Sequence, residues 1–483
     1  MDKFVDVLII GAGISGIGMA VHLLKKCSKQ QFAILERRNN IGGTWDLFRY
    51  PGIRSDSDMT TFGYQFKPWE RDSFLANGAS IRHYLQEVVD EFGLENKIHF
   101  NHQVERANFD RQQQKWCVEL LDSTGQAQLW HANFIVSCTG YYHYQQGYLP
   151  RFPHQNTFQG TIIHPQHWPK ELDYSNKNIV VIGSGATAMT LLPALVAGGA
   201  AHVTMLQRSP TYVVSVAGID FIYQKLRQYL PAQHAYQLTR VRNIAVQRAV
   251  YYLSQKYPRL VRAILLQRIK KQLKDKENLK HFKPNYNPWD QRLCVIPDGD
   301  LFEVLNRQQA SIVTDHIERF TEDGILLQSG TLLNADIIVS ATGLNIEVLG
   351  GIKISIDGQA VNPADQLLYQ GVLVSQLPNF AMMMGYINAS WTLKVDIAAD
   401  YVCRLLNYMQ QHHFRQVVAG HQDSDKTDLT VMGDLSAGYI QRAFAHMPKQ
   451  GKAAPWKNTH NYLLDRKVLK NASFEDDILK FQS

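Results

Sequence analysis

The chain has 483 residues, 45% hydrophobic and 19% charged, with a net charge of +7 at pH 7; that is room for two or three cored domains and the composition of a globular protein, not a fibrous or disordered one. Five scattered cysteines (Cys27, Cys117, Cys138, Cys294, Cys403) form no C-x-x-C or C-x(4)-C pair, which excludes a disulfide scaffold, a dithiol redox site and a cysteine-built metal site, and no metal is expected. No run approaches the roughly 18 apolar residues of a membrane span, and the chain enters a strand too soon after Met1 for a signal peptide, so a cytoplasmic protein is expected.

Residues 5–10 read as a buried strand, followed at once by Gly11-Ala12-Gly13-Ile14-Ser15-Gly16, a helix over 17–26 and a second strand over 32–35 that closes on Glu36. This is a βαβ unit with G-x-G-x-x-G at its first turn. The glycines give a tight turn, close approach of backbone to a pyrophosphate and close helix–strand packing, and the helix N-terminus receives the phosphate charge. A carboxylate ending the second strand accepts from a ribose diol and repels a 2′-phosphate, so the unit predicts FAD or NAD. The glycine- and proline-rich loop that follows, over 39–58, carries paired glycines (Gly42, Gly43), Pro51-Gly52 and three aromatics. Such a loop suits backbone laid against a planar cofactor, and Thr44, Trp45, Asp46, Leu47, Arg54, Ser55 and Asp56 are expected to face it. Strands are predicted over 99–110, 115–121 and 134–138, the last ending in Thr139-Gly140.

A second unit follows. The strand over 179–182 runs into Gly183-Ser184-Gly185-Ala186-Thr187-Ala188, with Met189 continuing the helix, and the strand over 203–206 runs into Gln207-Arg208. Ser184 and Thr187 add hydroxyl donors, and a guanidinium where the first unit has a carboxylate welcomes a 2′-phosphate. This turn predicts NADPH. Between residues 220 and 280, 14 Lys or Arg meet three acids (Asp220, Asp275, Glu277), while Val250, Leu253, Tyr257, Val261, Ile264, Leu265, Ile269 and Leu273 recur at helical spacing. That stripe suits helices packed on their own domain first and peripheral docking on anionic lipid second; no nucleic-acid motif accompanies the charge. The strand over 336–340 repeats the earlier ending as Ala341-Thr342-Gly343.

The expected fold is α/β: two doubly wound, Rossmann-like dinucleotide domains with a helical insertion. The first domain is expected over 1–145 and again over 341–483. The second is expected over 146–214 (with a linker at 150–170) and 286–340, and the basic helices over 215–285. Asn388-Ala389-Ser390-Trp391, after the Met-rich run 382–384, is expected on the substrate side.

The linker Phe158-Gln159-Gly160-Thr161-Ile162-Ile163-His164-Pro165-Gln166-His167-Trp168-Pro169 fits F-x-G-x(3)-H-x(3)-W-P, and residues 42–56 fit G-G-x-W-x(4)-Y-P-G-x(3)-D at every fixed position. These patterns resemble the fingerprints of the Baeyer–Villiger monooxygenases. Over nearly its whole length the chain is similar to the ethionamide-activating branch of that family, and a long-chain alkane hydroxylase branch is also similar. The resemblance implies FAD, NADPH and O2, a C4a-peroxyflavin, and oxygen insertion into apolar aliphatic ketones to give esters, with sulfoxidation of thioethers or thioamides alongside. It places the catalytic arginine at Arg292, its partner acid at Asp56, and the backbone contact to the flavin adenine at Val104. Many members carry a lysine before that arginine. Gln291 stands here instead, so the resemblance leaves more of the NADPH preference to Arg208. Terminal alkane hydroxylation is the alternative reaction, and a flavin redox sensor or peroxide-forming NADPH oxidase the alternative class. His164 and Trp168 are expected to serve hinge geometry, a closing hydrogen bond or packing, not chemistry.

Overall fold

A computed structural model describes residues 2–433 and 437–483. The first unit forms β1 (Lys3–Ile10), α1 (Ile14–Lys26) and β2 (Phe32–Glu36). Val7, Leu8 and Ile9 are fully buried, as a parallel strand covered on both faces requires. The loop that follows contains a one-turn helix α2 (Thr44–Leu47), then α3 (Met59–Phe62) and α4 (Gly78–Glu91), before β3 (Ile98–Phe100), β4 (Gln103–Asp110), β5 (Lys115–Leu121) and β6 (Ala127–Ser137). The single strand expected over 99–110 is two strands. Asn101 at φ 55° breaks it, so that β3 pairs parallel with β2 while β4 pairs antiparallel with β5.

The second sheet holds β7 (Thr161–Ile163), β8 (Asn178–Ile182) and, after α5 (Ala186–Ala197), β9 (His202–Gln207). β10 (Val213–Val216) leads into the helices α6 (Phe221–Tyr229), α7 (Ala232–Lys256) and α8 (Pro258–Gln272), and the chain comes back as β11 (Cys294–Pro297), which pairs parallel with β10. Then come α9 (Asp300–Asn306), β12 (Ala310–Thr314), an antiparallel meander β13–β15 (Ile317–Thr321, Gly324–Leu327, Leu332–Asn334) and β16 (Ile337–Ser340). The parallel order is β12-β9-β8-β16-β7.

The return strands β17 (Lys353–Ile356), β18 (Gln359–Ala360), β19 (Leu368–Tyr369), β20 (Leu373–Val374) and β21 (Phe380–Met382) rejoin the first sheet, followed by α10 (Trp391–Gln411). That sheet runs β18-β17-β4-β5-β6-β1-β2-β3, with β21 on the far half of β6.

The two strands ending in Thr-Gly carry the crossings between the sheets, and the crossings lie side by side. His143 N–H donates to Asn345 O at 2.9 Å, Glu347 N–H to Tyr141 O at 3.0 Å and Tyr148 N–H to Gly343 O at 3.1 Å. Each ending also abuts its glycine turn. A Cβ on Gly11 would lie 2.7 Å from Cys138 O, and one on Gly183 would lie 2.3 Å from Ala341 O; both glycines have positive φ. No L side chain fits there without moving backbone.

The basic helices do not pack as one stripe. The helix ends at Lys256 and restarts at Pro258, because proline cannot supply the N–H of a continuing turn. Leu265, Ile269 and Leu273 are buried, whereas Val250, Leu253, Tyr257 and Ile264 are exposed. The two halves also serve different partners. Ile269 and Leu273 join the core beneath the second sheet, while Tyr223, Ala235 and Tyr236 join the core under α1 and α10. Among the described residues, no helix is long and apolar enough to cross a membrane.

Candidate functional site

One cleft of about 290 Å³ is walled by the first glycine turn, the 42–56 loop, the start of α5 and the segment carrying Arg292. Gly11, Gly13, Ser15, Glu36, Thr44, Trp45, Arg54, Asp56, Val104, Ala186, Thr187 and Arg292, all expected at the site from sequence, line it. The first turn is built as a dinucleotide turn should be. Gly11 N–H donates to Leu35 O at 2.7 Å, and the buried carboxylate of Glu36, next along β2, accepts from Ala12 N–H at 2.8 Å and Arg38 N–H at 2.9 Å. Burial pushes the Glu36 carboxyl up, and those two N–H groups with the charges of Arg37 and Arg38 pull it back. A Cβ on Gly43 would lie 3.1 Å from Gly13 Cα, so two bare backbones face each other across the groove. This donor set fits a flavin dinucleotide: backbone where a pyrophosphate passes, a ribose-reading carboxylate at one end, and room for a ring system toward Arg292.

The loop is shared between the two domains. Leu47, Phe48 and Tyr50 are buried in the core of the second sheet with Val181, Leu191 and Leu192, and burial raises the pKa of the Tyr50 hydroxyl, which lies toward Thr187 and Thr190 of α5. Leu47, expected at the cofactor, therefore packs elsewhere. Asp46, 1% exposed, is held by Arg38 (Nη2 to Oδ2, 2.7 Å) and Arg49. Ser55 turns its hydroxyl to Ser57 O at 2.9 Å. These three side chains shape the loop and do not face the cleft. Arg54 pairs with Asp300 at the start of α9 at 2.6 Å, pinning the segment that ends in Asp56.

Arg292 comes from the other side. Asn287 N–H bonds to Asp290 Oδ2 at 2.8 Å, Asp290 N–H to Asn287 O at 3.1 Å, and Trp289 adopts φ 73°, a tight turn that delivers Arg292 just before β11. Leu293 is buried beside Tyr212 and Leu265 and anchors it. The buried Nε of Arg292 has no hydrogen-bond partner among the described residues. Burial disfavours the guanidinium charge, but Tyr141, Tyr439, Asp56 and Tyr142 around it outweigh that and raise its pKa. The arginine is permanently charged. Tyr142 is held neutral by burial, and its hydroxyl lies 3.1 Å from that of Tyr141. Trp391 closes this end, with its ring 5.4 Å from Tyr141 and its Nε1–H donating to Ser15 Oγ at 2.8 Å. Gly16 and the Met382–Met384 run lie behind the wall, buried.

His460 stands behind Arg292. Burial, with the charges of Lys394 and Arg292, pushes its pKa down to about 4 against the opposing charge of Asp465. An imidazole depressed in the fold takes up its proton near pH 6.5 only when unfolded. Its contribution is complete above pH 6.5 and is lost as pH falls toward 4. The urea midpoint is expected to fall over that window, with His460→Asn removing about 3 kcal/mol of the pH dependence. Identical pH profiles for the two proteins would exclude this role.

The second turn repeats the first. Gly183 N–H donates to Leu206 O at 2.8 Å, and Ile182 pairs with Leu206 as Ile10 does with Leu35. Gln207 thus occupies the position of Glu36, but its amide is taken up within the protein, donating to His281 O (2.8 Å) and Thr314 Oγ1 (2.9 Å). Arg208, one residue on, is exposed at the strand end. Gly185 is exposed, Gly183 and Ser184 half-buried, and Ala188 and Met189 pack inward from α5. His164 joins the linker to the second crossing. Its Nδ1 accepts from Gln166 N–H at 3.2 Å, so Nε2 carries the proton and donates to Gly343 O at 3.0 Å. Trp168 packs edge-on against Tyr174, 6.2 Å away.

Sequence reasoning missed Tyr141, Tyr142 and Tyr439. The first two follow Thr139-Gly140 directly, so the ending that marks a nucleotide approach was their signal; Tyr439 lies nearly 150 residues beyond Arg292 and had none.

A family model described as pyridine nucleotide-disulphide oxidoreductase matches residues 8–257. The chain is 62% identical over 481 residues to the probable FAD-binding monooxygenase AlmA of Acinetobacter baylyi, covering 100% of this chain and 97% of that one. It is 48% identical over 482 residues to the FAD-containing monooxygenase EthA of Mycobacterium tuberculosis, covering 100% and 98%. In three dimensions it is similar to an oxidized steroid monooxygenase bound to NADP (TM-score 0.81, 20% identity, 100% of both chains) and to a cyclohexanone monooxygenase (TM-score 0.79, 19% identity, 100% of both). At those identities the two structures speak to fold alone.

Proposed function

Because the chain belongs to the FAD-containing monooxygenases of the pyridine nucleotide-disulphide oxidoreductase family, we infer that it uses FAD and NADPH to insert one oxygen atom of O2 into apolar aliphatic ketones, giving esters. Sulfoxidation of thioethers or thioamides is the accompanying activity. The observation that carries the reading is the shared cleft: Arg292 and Asp56 face it together with the first glycine turn and with Ala186 and Thr187 of the second.

FAD, when bound and reduced by NADPH, supplies the activated oxygen. The rest is the work of this chain's residues. Glu36 would accept from the ribose diol, and Gly11, Gly13 and Gly43 would leave room for the pyrophosphate at the start of α1. Trp391, Tyr141 and Phe62 wall the reacting end with rings and keep water out. Arg292 places a fixed positive charge where negative charge develops on the oxygen being transferred and on the substrate carbonyl. It cannot act as a proton source there. Asp56 sets an opposite charge near it and orients the guanidinium, while the hydrogen-bonded hydroxyls of Tyr141 and Tyr142 add their dipoles.

The test uses the purified yellow protein. NADPH consumption is followed with 2-decanone and with decane, and ester, alcohol and hydrogen peroxide are quantified. Ester formed in step with NADPH is expected. Alcohol from decane would replace ketone oxidation by alkane hydroxylation, and stoichiometric peroxide with either compound would make the protein an oxidase.

A further inference from the structure

The helix α7 is amphipathic in the wrong sense for a solvent-exposed helix. Its inward face is polar and tied down. Arg240 Nη1 donates to Thr60 O at 2.8 Å and Gly63 O at 2.7 Å, Asn243 Nδ2 to Asp58 Oδ1 at 2.8 Å, and Gln247 Nε2 to Asp58 Oδ2 at 2.6 Å. Its outward face carries Leu238, Val241, Ala245, Ala249 and Tyr252 at intervals of three or four, all exposed, with Val246 and Leu253 beside them. Val241 is 66% exposed. The helices packed against it do the same. On α6, Phe221 (68%), Ile222 and Tyr229 (75%) face outward, and on α8 so do Leu260 and Ile264. A helix in water normally presents the opposite pattern, and an exposed apolar area of this extent marks a surface that is covered in use.

The charge around this face says what covers it. Lys225, Arg248, Lys256, Arg259, Lys270 and Lys271 are all exposed, and none is paired with a carboxylate among the described residues. Of the three acids in the segment, Asp220 is buried and pairs with Arg242. An isologous dimer through this face would bring two such positive patches together, which repel. Exposed leucine, valine and tyrosine ringed by lysine and arginine that no described carboxylate neutralises match instead the two signals of stable peripheral membrane binding, apolar insertion and attraction to anionic headgroups.

We propose that the outer face of α6–α8 docks this enzyme on an anionic lipid bilayer. The face is coupled to the site. Tyr251 of α7 packs edge-on against Trp289 at 5.4 Å, in the turn that delivers Arg292. The same helix caps α3, whose Phe62 lines the cleft. A bilayer is also where apolar ketones partition; that part of the rationale rests on the function proposed above, and the docking itself does not.

The FAD-loaded full chain is floated with vesicles of phosphatidylcholine containing about 30% phosphatidylglycerol and with phosphatidylcholine alone, at about 0.1 M and about 0.5 M NaCl. Binding to the anionic vesicles is expected to be at least about tenfold stronger, and to weaken with salt. Val241→Glu/Leu253→Glu and, separately, Arg248→Glu/Lys256→Glu should each lower it about tenfold or more. Bound-flavin absorbance and ester formation from a short, water-soluble ketone should stay unchanged, since these side chains are exposed and outside the cleft. Absence of binding to anionic vesicles, or equal binding by wild type and both variants, would overturn the proposal. So would light scattering that shows a dimer which the variants dissociate, because the face would then belong to a second copy. Vesicle binding without ester formation would overturn the catalytic reading and leave the docking standing.

Discussion

Arg292→Ala is expected to lower ester formation by about a hundred- to a thousandfold, the loss seen when one preorganised donor is removed from developing negative charge. NADPH should still be consumed, because the second glycine turn and Arg208 are untouched, and the oxygen should leave as hydrogen peroxide. The size follows from the surroundings. Arg292 sits among Tyr141, Tyr142 and Tyr439 with its Nε unpartnered among the described residues, and Asp56 is the acid that acts on it. The other two arginines that line the cleft are engaged elsewhere, Arg54 with Asp300 and Arg37 with Glu347. Arg292→Lys should recover part of the rate, since a lysine restores the charge but not the planar fork. Product analysis by gas chromatography decides it: ester made by the alanine variant at near wild-type rate removes Arg292 from the chemistry.

Arg208→Ala is expected to raise the Michaelis constant for NADPH by roughly tenfold to a hundredfold and to leave that for NADH nearly unchanged. A hydrogen bond to a charged group contributes about 1.5–3 kcal/mol, less where solvent screens it. The assignment is made by register. Ile182 pairs with Leu206 as Ile10 pairs with Leu35, so Gln207 stands where Glu36 stands. The Gln207 amide is taken up by His281 O and Thr314 Oγ1, which leaves the exposed Arg208 as the cation at that strand end. With Gln291 in place of a second cation, discrimination should rest mostly on this one residue. Equal rises for both nucleotides would end the 2′-phosphate assignment.

Much of the architecture was legible in the linear chain. The two βαβ units appear with their turns at Gly11 and Gly183, and the endings Thr139-Gly140 and Thr342-Gly343 mark where the chain passes between the sheets. The misreadings have physical causes. The strand over 99–110 was joined because its apolar pattern does not register the left-handed Asn101 that breaks it. The stripe from Val250 to Leu273 suits packing on its own domain first only while helical spacing is taken to continue across Tyr257-Pro258; the backbone breaks there, and only Leu265, Ile269 and Leu273 are buried.

What the sequence determined by itself is local: a glycine turn needs positive φ and a missing Cβ within a few residues of its strand, and a charge at the end of the next strand selects the nucleotide that the turn can hold. What only the tertiary structure decided depends on residues far apart in the chain. Leu47 turns from the cofactor cleft into the core of the second sheet, which Phe48 and Tyr50 join while still lining the cleft. Gln207 turns to His281, 74 residues on, and the outward face of α7 is apolar because Asp58, Thr60 and Gly63 claim its polar side. Amphipathic spacing tells which residues share a helix face. It cannot tell which face meets protein, since that depends on the partner surface folded against it.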